Sequence, residues 1–293
     1  MILQKQTVKP IETADAARIH VLLGQPTAEI CDHSVGNMYM WKDTLDTDLV
    51  GDGPLCLAEH YEGETYFAMR YSDGDYVERV RALMEQFGTP LHLCSMTEDE
   101  VGALRDAFGD RFSCEGEDGA ADYIYDAAAL RTFAGKKYHS QKNHLNAFLR
   151  NYAHYTFLPY KPQEEAELLA FFDRYEAEAA DPSDSAKKES LACRRLIPML
   201  SALSLDARML RVDGVLCGFA VMEAVGDTLM IHIEKGLTSY RGVYPMLVHL
   251  EASAYPHIRY INREEDDGNE GLRRSKKSYN PIELKQKYIG CIE

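Results

Sequence analysis

Three apolar runs in the second half of the chain, ARMLRV (207–212), VLCGFAVMEAV (215–225) and DTLMIHIEKG (227–236), have strand length and are joined by Asp213-Gly214 and Gly226-Asp227. Short glycine-bearing connectors between such runs predict an antiparallel meander. Ahead of it, helical periodicity covers 163–180, with Leu168, Leu169, Phe171, Phe172 and Tyr175 on one stripe, and about 187–203, which Pro198 should kink or split. After it come an amphipathic helix near 242–254, a strand IRYIN at 258–262, a short helix near 269–277 and a strand-like LKQKYIGCI at 284–292. The first half repeats this order: a helix at about 12–23, strands near 36–42, 54–60 and 65–71 with a Glu62-Gly63 turn, a helix at 76–87, PLHLCSM as a strand at 90–96, a helix at 97–108, and strands near 111–115 and 122–126.

One element order met twice predicts two copies of one fold, one over residues 1–130 and one over 131–293. A meander, then a helix, then a strand parallel to the meander's last member is the element order of the GNAT acyltransferase fold. The expected class is therefore α+β, with tandem GNAT-like domains and mixed, mainly antiparallel sheets.

Charge changes the picture more than composition does. With 293 residues and a net charge of −15, the chain repels polyanions at long range, so double-stranded DNA is not an expected partner and any phosphate contact needs a concentrated basic patch. No run approaches the roughly 20 apolar residues of a membrane span, and the N-terminus lacks the apolar core of a secretion signal, which points to the cytoplasm. Seven scattered cysteines without a CxxC pair argue against a disulfide framework or a zinc site, so no metal is expected. The oligomeric state stays open.

Three stretches carry candidate chemistry. Strand alternation in LMIHIEKG puts His232 and Glu234 on one face and Lys235 on the other, and in YINREE it puts Asn262 and Glu264 opposite Arg263. If those strands are parallel neighbours, their C-terminal ends gather Glu234, Lys235, Asn262, Arg263 and Glu264, at the end where open α/β sheets bind ligands. A structural ion-pair network explains the same residues. In SYRGVYP, Arg241 and Gly242 open a helix whose N–H groups suit an anion, although the turn is short for a pyrophosphate loop. In GKKYHSQKNHLNAFLRNY, Leu145, Phe148, Leu149 and Tyr152 form a packing face, while His139, Asn143, Asn146 and Arg150 form a polar one beside Lys142. That face reads either as solvated or as a surface for an anionic partner.

With GKKYHSQKNHLNAF, HIEKG, YRGVYP and YINREEDDGNEGLRRSKKSYNP in this order, the chain resembles the family named for the C-terminal domain of bacterial phosphatidylglycerol lysyltransferase, closely over about 130–290 and more loosely before. The resemblance implies a tandem GNAT fold related to Fem-type aminoacyltransferases, which move an activated acyl or aminoacyl group from a carrier to an amine or hydroxyl. The lysyltransferases use aminoacyl-tRNA and a membrane lipid; the missing membrane domain leaves the acceptor open here. On this reading Lys136, Lys137 and Lys142 join Arg273, Arg274, Lys276 and Lys277 as a basic island for the carrier. Glu234 acts as base and Tyr279 protonates the leaving group. No cofactor is expected to be held tightly, and aminoacyl-tRNA is preferred to acyl-CoA as co-substrate because the Gly242 turn is short. The alternative is a catalytically silent module that binds a phosphorylated small molecule or a tRNA acceptor end.

Overall fold

The computed structural model describes residues 7–23, 30–51, 53–69, 76–116, 119–178 and 183–293. The first half runs β1 (Val8–Pro10), α1 (Ala16–Leu23), α2 (Val35–Trp41), β2 (Asp48–Val50), β3 (Cys56–Tyr61), β4 (Glu64–Met69), α3 (Tyr76–Phe87), β5 (Leu91–Met96), α4 (Glu98–Phe108), β6 (Phe112–Gly116) and β7 (Asp122–Asp126). Two helices follow, α5 (Ala127–Thr132) and α6 (His139–Asn151). The second half runs β8 (Tyr155–Pro159), α7 (Glu165–Glu178), α8 (Asp184–Leu196), β9 (Asp206–Val212), β10 (Val215–Val225), β11 (Thr228–Gly236), α9 (Val243–Ala254), β12 (Tyr260–Asn262), α10 (Glu270–Ser278), β13 (Glu283–Lys285) and β14 (Tyr288–Ile292).

Among the described residues these strands form two 7-stranded sheets, ordered β1-β2-β3-β4-β5-β14-β6 and β8-β9-β10-β11-β12-β7-β13. Position by position the two orders match. In each, the meander's last strand runs parallel to the next one, β4 to β5 and β11 to β12, and the other pairings are antiparallel. The sixth position is exchanged: β14, the last strand of the second half, lies between β5 and β6, and β7, the last of the first half, lies between β12 and β13. Each sheet thus takes one strand from the far side of a cut at residue 130. The architecture is α+β with tandem GNAT-like sheets.

Three packed layers hold the sheets. One core of α3 and α4 against the first sheet contains Val80, Leu83, Leu93, Val101 and Leu104. A second, of α5, α6 and α9 against the second sheet, contains Phe133, Leu145, Phe148, Ile231, Leu247 and Ile261. The third joins the halves: Leu49 and Leu57 of the first sheet, Val35 and Met38 of α2, Phe171 of α7, Leu196 of α8, and Phe219 and Ile233 of the second sheet form one cluster.

Two local readings are corrected. The segment near 36–42, expected as a strand, is α2, because Val35, Met38, Tyr39 and Met40 are all buried between the two halves; burial around most of a short helix erases the periodicity that distinguishes helix from strand. LKQKYIGCI is two strands, broken at Gln286-Lys287 where the chain crosses from the second sheet to the first.

Candidate active site between the two sheets

The β10–β11 ladder pairs Val221 with Ile233 and Met222 with Ile231, which leaves His232 as the extra residue of a β-bulge. The bulge resets the alternation. Ile231 packs under α9; His232 and Ile233 both turn toward the first half; Glu234 turns back toward Arg263. The expectation that His232 and Glu234 share a face therefore fails, and the predicted gathering of Glu234, Lys235, Asn262, Arg263 and Glu264 becomes separate arrangements.

On the α9 side, Glu234 accepts a hydrogen bond from Arg263 at 2.8 Å, and both side chains are nearly closed to solvent. The Arg263 guanidinium lies 4.6 Å from the Tyr279 ring and 5.8 Å from the Tyr125 ring. Glu251 of α9 is fully buried, and that burial, reinforced by the charge of Glu234, raises its pKa well above the ordinary carboxyl value. Burial likewise raises the Tyr279 phenol. Both groups assigned proton transfer thus sit inside a packed ionic layer. Lys235 is elsewhere, bonded to Glu189 of α8 at 2.7 Å and 5.4 Å from the Tyr175 ring.

On the side facing the first half, His232 is held between Glu264 (2.8 Å from Nδ1) and Glu223 (3.1 Å from Nε2). Burial alone would strip the imidazole of its proton, but the hydrogen bonds and charges of the two carboxylates outweigh it and raise the pKa to about 9. Glu223 also accepts N–H bonds from Val35 (3.2 Å) and Gly36 (2.7 Å) at the start of α2. A Cβ on Gly36 would fall 2.3 Å from the His232 ring, so only glycine lets α2 come this close.

Next to this triad lies a cluster built around Lys287, which is 3% exposed. Its ammonium is 2.6 Å from Asp32, 3.0 Å from Asp122, 3.0 Å from Glu265 and 3.1 Å from the Cys31 thiol. Cys31, Asp122 and Glu265 have the donor types and spacing of a metal site, and the Lys287 ammonium stands among them as the cation. Asn262 donates to Asp122 at 2.7 Å, and Ser95 donates to Asp32 at 2.7 Å. Burial raises Asp122 to about 6, aided by Glu265 and Asp32 and opposed by Lys287. Burial also works against Asp32, but Lys287 and the Ser95 hydroxyl prevail and hold it at about 2.

Asp32 and Ser95 are also on the rim of a pocket at the C-terminal end of the parallel β4/β5 pair. Among the described residues its wall is apolar, from Met38 and Trp41 of α2, Leu45 and Leu55 of the connecting segments, and Leu57, Ala68 and Met69 of the sheet; Asp32, His33, Asn37, Thr47, Glu59 and Ser95 supply the polar edge. The repeat places this pocket at the first sheet's counterpart of the β11/β12 end, which the sequence had singled out. In the second sheet that end is closed by Arg263–Glu234 and His232–Glu264.

The basic segments meet in part. Gln141 of α6 donates to the Ser278 carbonyl at 2.6 Å and Asn280 donates to the Lys137 carbonyl at 3.2 Å, which seats α6 against the end of α10. Lys136, Lys137, His139, Lys142, Asn143, Arg274 and Lys277 are exposed at the surface, and Asn146 is half-buried. Arg273 is engaged by Asp266 and Glu270. Lys276 is buried and donates to the carbonyls of Arg263, Glu264 and Glu265, where positive φ at Glu264 turns the chain. It is a strut for the acidic turn and not a free cation. Gly242 adopts φ 85°, but the space before it is filled: a Cβ there would lie 2.2 Å from the His144 carbonyl oxygen of α6. The Arg241 N–H is taken by the Tyr152 hydroxyl at 3.1 Å. The anion cradle expected at Arg241-Gly242 is a helix-packing contact.

Cys31, Asp32, Asp122, Glu223, Glu251, Glu265 and Lys287 were not singled out as site residues. Glu223 in VLCGFAVMEAV and Glu251 in VYPMLVHLEASA each interrupt an apolar run, a signal of a buried charge. Nothing local marks Lys287, whose partners come from across the sheet exchange.

A model of the family described as phosphatidylglycerol lysyltransferase, C-terminal, matches residues 27–291. The chain belongs to this family. Its fold is similar to that of a conserved protein of unknown function from Bacteroides thetaiotaomicron, at 28% identity and a TM-score of 0.91 over 98% of this chain and 100% of that one. The C-terminal domain of a putative lysylphosphatidylglycerol synthetase from Agrobacterium fabrum aligns at 14% identity and a TM-score of 0.65, covering 96% and 92%. FemX aligns at 9% identity and a TM-score of 0.62, covering 98% and 97%. The tandem GNAT-like fold is thus shared with the lysylphosphatidylglycerol synthetase domain and with FemX. Among the described residues no helix is long and apolar enough to cross a membrane.

Proposed function

We propose that the protein transfers an aminoacyl or acyl group from a phosphate-rich carrier, aminoacyl-tRNA in preference to acyl-CoA, to an amine or hydroxyl acceptor held between the two sheets. The carrying observation is the contrast between the two surfaces available to a carrier's phosphates. At the Gly242 turn the Arg241 N–H is bonded to the Tyr152 hydroxyl and the face of Gly242 is closed by the His144 carbonyl, so it offers a pyrophosphate little. The α6–α10 junction presents Lys136, Lys137, Lys142, Arg274 and Lys277, exposed and outside the salt bridges of the described residues. Several mobile cations on a surface suit a phosphodiester backbone.

The acceptor would enter the pocket beside Asp32, with the nucleophile's proton passing to the interface cluster. Asp122, at about 6, has the acidity nearest neutrality there. Glu234 is bonded to Arg263 on the opposite face, so it is assigned a structural role.

The test is transfer from charged tRNA and from acyl-CoA to a panel of amines and alcohols, with binding titrated at two salt concentrations. Carrier binding that weakens steeply with salt, transfer from charged tRNA, and retained transfer in Glu234→Gln are expected. Tight, salt-insensitive acyl-CoA binding with none of tRNA would overturn the donor; no turnover with any donor would favour a silent binding module.

A further inference from the structure

Cys31 and Lys287 are 256 positions apart in the chain and meet at 3.1 Å, the ammonium donating to the thiol sulfur. Both are buried. Asp122 fixes the two together: it accepts the Cys31 N–H at 2.5 Å and lies 3.0 Å from the Lys287 nitrogen. A potential nucleophile is thus held within a short movement of a sulfur.

Three carboxylates surround that sulfur, Asp122 and Glu265 each at 3.3 Å and Asp32 at 3.5 Å. Burial and these charges push the thiol well above its usual pKa, so it rests protonated. A carboxylate in contact can still take its proton while the sulfur reacts. The approach to it is narrow. Asn37 donates to the Cys31 sulfur at 3.4 Å, and Asn37 and Asp32, which both touch the sulfur, also line the pocket at the β4/β5 end. That pocket holds about 20 Å³, room for a water-sized molecule. Hydrogen peroxide is of that size, whereas a bulky alkylating reagent is not.

We propose that Cys31 and Lys287 are a modification site, at which hydrogen peroxide oxidises the thiol and the lysine amine closes on the sulfur as a covalent S–N cross-link. The sulfur attacks one peroxide oxygen while its proton passes to Asp122. The S–O bond forms as the O–O bond breaks, and the released hydroxide takes a proton from the Lys287 ammonium and leaves as water. The neutral amine then attacks the sulfenic sulfur. The S–N bond forms as the S–O bond breaks, the departing hydroxide takes the proton held by Asp122, and the nitrogen gives one proton to solvent. The sulfur gives up an electron pair, and one peroxide becomes two waters. The link ties the segment ahead of α2 to the crossing between β13 and β14, and it removes the cation that Asp32, Asp122 and Glu265 share. It stands whether or not the protein transfers an acyl group.

The full chain is treated with hydrogen peroxide at pH 7, quenched with catalase and digested without reductant for mass spectrometry. The expected product joins the peptides of Cys31 and Lys287, is lighter than their sum by two hydrogens, and returns to the free peptides with dithiothreitol. It should fall by about 10-fold when the peroxide is added in urea, which separates the pair, or replaced by tert-butyl hydroperoxide, which exceeds the pocket. Lys287→Arg keeps a cation in the cluster and removes the amine, so peroxide should leave oxygen on Cys31 in place of the link. Cys31 untouched at peroxide levels that oxidise the methionines, Cys31 carrying oxygen without a link in the parent, equal yield in urea or with tert-butyl hydroperoxide, or the same link in Lys287→Arg each overturns the proposal. Should Lys287→Arg fail to fold, the parent protein alone decides it.

Discussion

Replacing Gly242 with alanine separates two accounts of that residue. At φ 85° an alanine is in the left-handed region, which costs about 1–2 kcal/mol. Its Cβ would stand 2.2 Å from the His144 carbonyl oxygen and 3.2 Å from the Phe148 Cβ. The first neighbour is backbone in the middle of α6, so relief requires shifting a helix whose Leu145 and Phe148 are buried in the core. Overpacking of this kind costs about 1–3 kcal/mol, for a combined loss of about 2–5 kcal/mol. For a chain of this size the melting temperature should fall by on the order of 5–15 °C. Urea unfolding followed by far-UV circular dichroism measures the loss, with tRNA and acyl-CoA binding recorded well below the transition. Wild-type stability combined with selective loss of phosphate-ligand binding would refute the packing account and restore Gly242 as a point of phosphate approach.

Because His232 is raised from 6.5 to about 9, its contribution to stability is full below pH 6.5 and lost as pH rises toward 9, on the order of 3 kcal/mol; unfolding titrations should show that slope vanish in His232→Gln. Glu251, whose pKa is raised, opposes folding increasingly above pH 4.5, so Glu251→Gln should gain stability at pH 8 and little at pH 4; equal stability at pH 8 would contradict a buried neutral carboxyl. Lys287→Met leaves Asp32, Asp122 and Glu265 without their shared cation and should cost about 3–5 kcal/mol by urea titration. Part of that loss should return near pH 5, as Asp122 takes up a proton.

Much of the scaffold was legible because its signals are local. The Asp213-Gly214 and Gly226-Asp227 connectors mark the meander, and the order of helices and strands repeats clearly enough to announce two similar sheets. The site was legible only where neighbours in sequence are neighbours in space, as with Arg263 and the acidic turn that Lys276 secures. One inserted residue at His232 was enough to place His232 and Glu234 on opposite faces, since a strand has a period of two and a bulge leaves no mark in composition. Lys287 was invisible for a different reason. Its meaning depends on residues 31, 32, 122 and 265 arriving at one point, and only the pairing of β7 and β14 with the opposite sheets brings them there.

That exchange bears on how a ligand can be admitted. Drawing the halves apart would break the ladders of β14 with β5 and β6, and of β7 with β12 and β13, before any gap opened. The two halves are therefore buttoned to each other at two places, and hinged jaw-like closure is not available to this molecule. A ligand would reach the space between the sheets past side chains such as Trp41, without parting the halves.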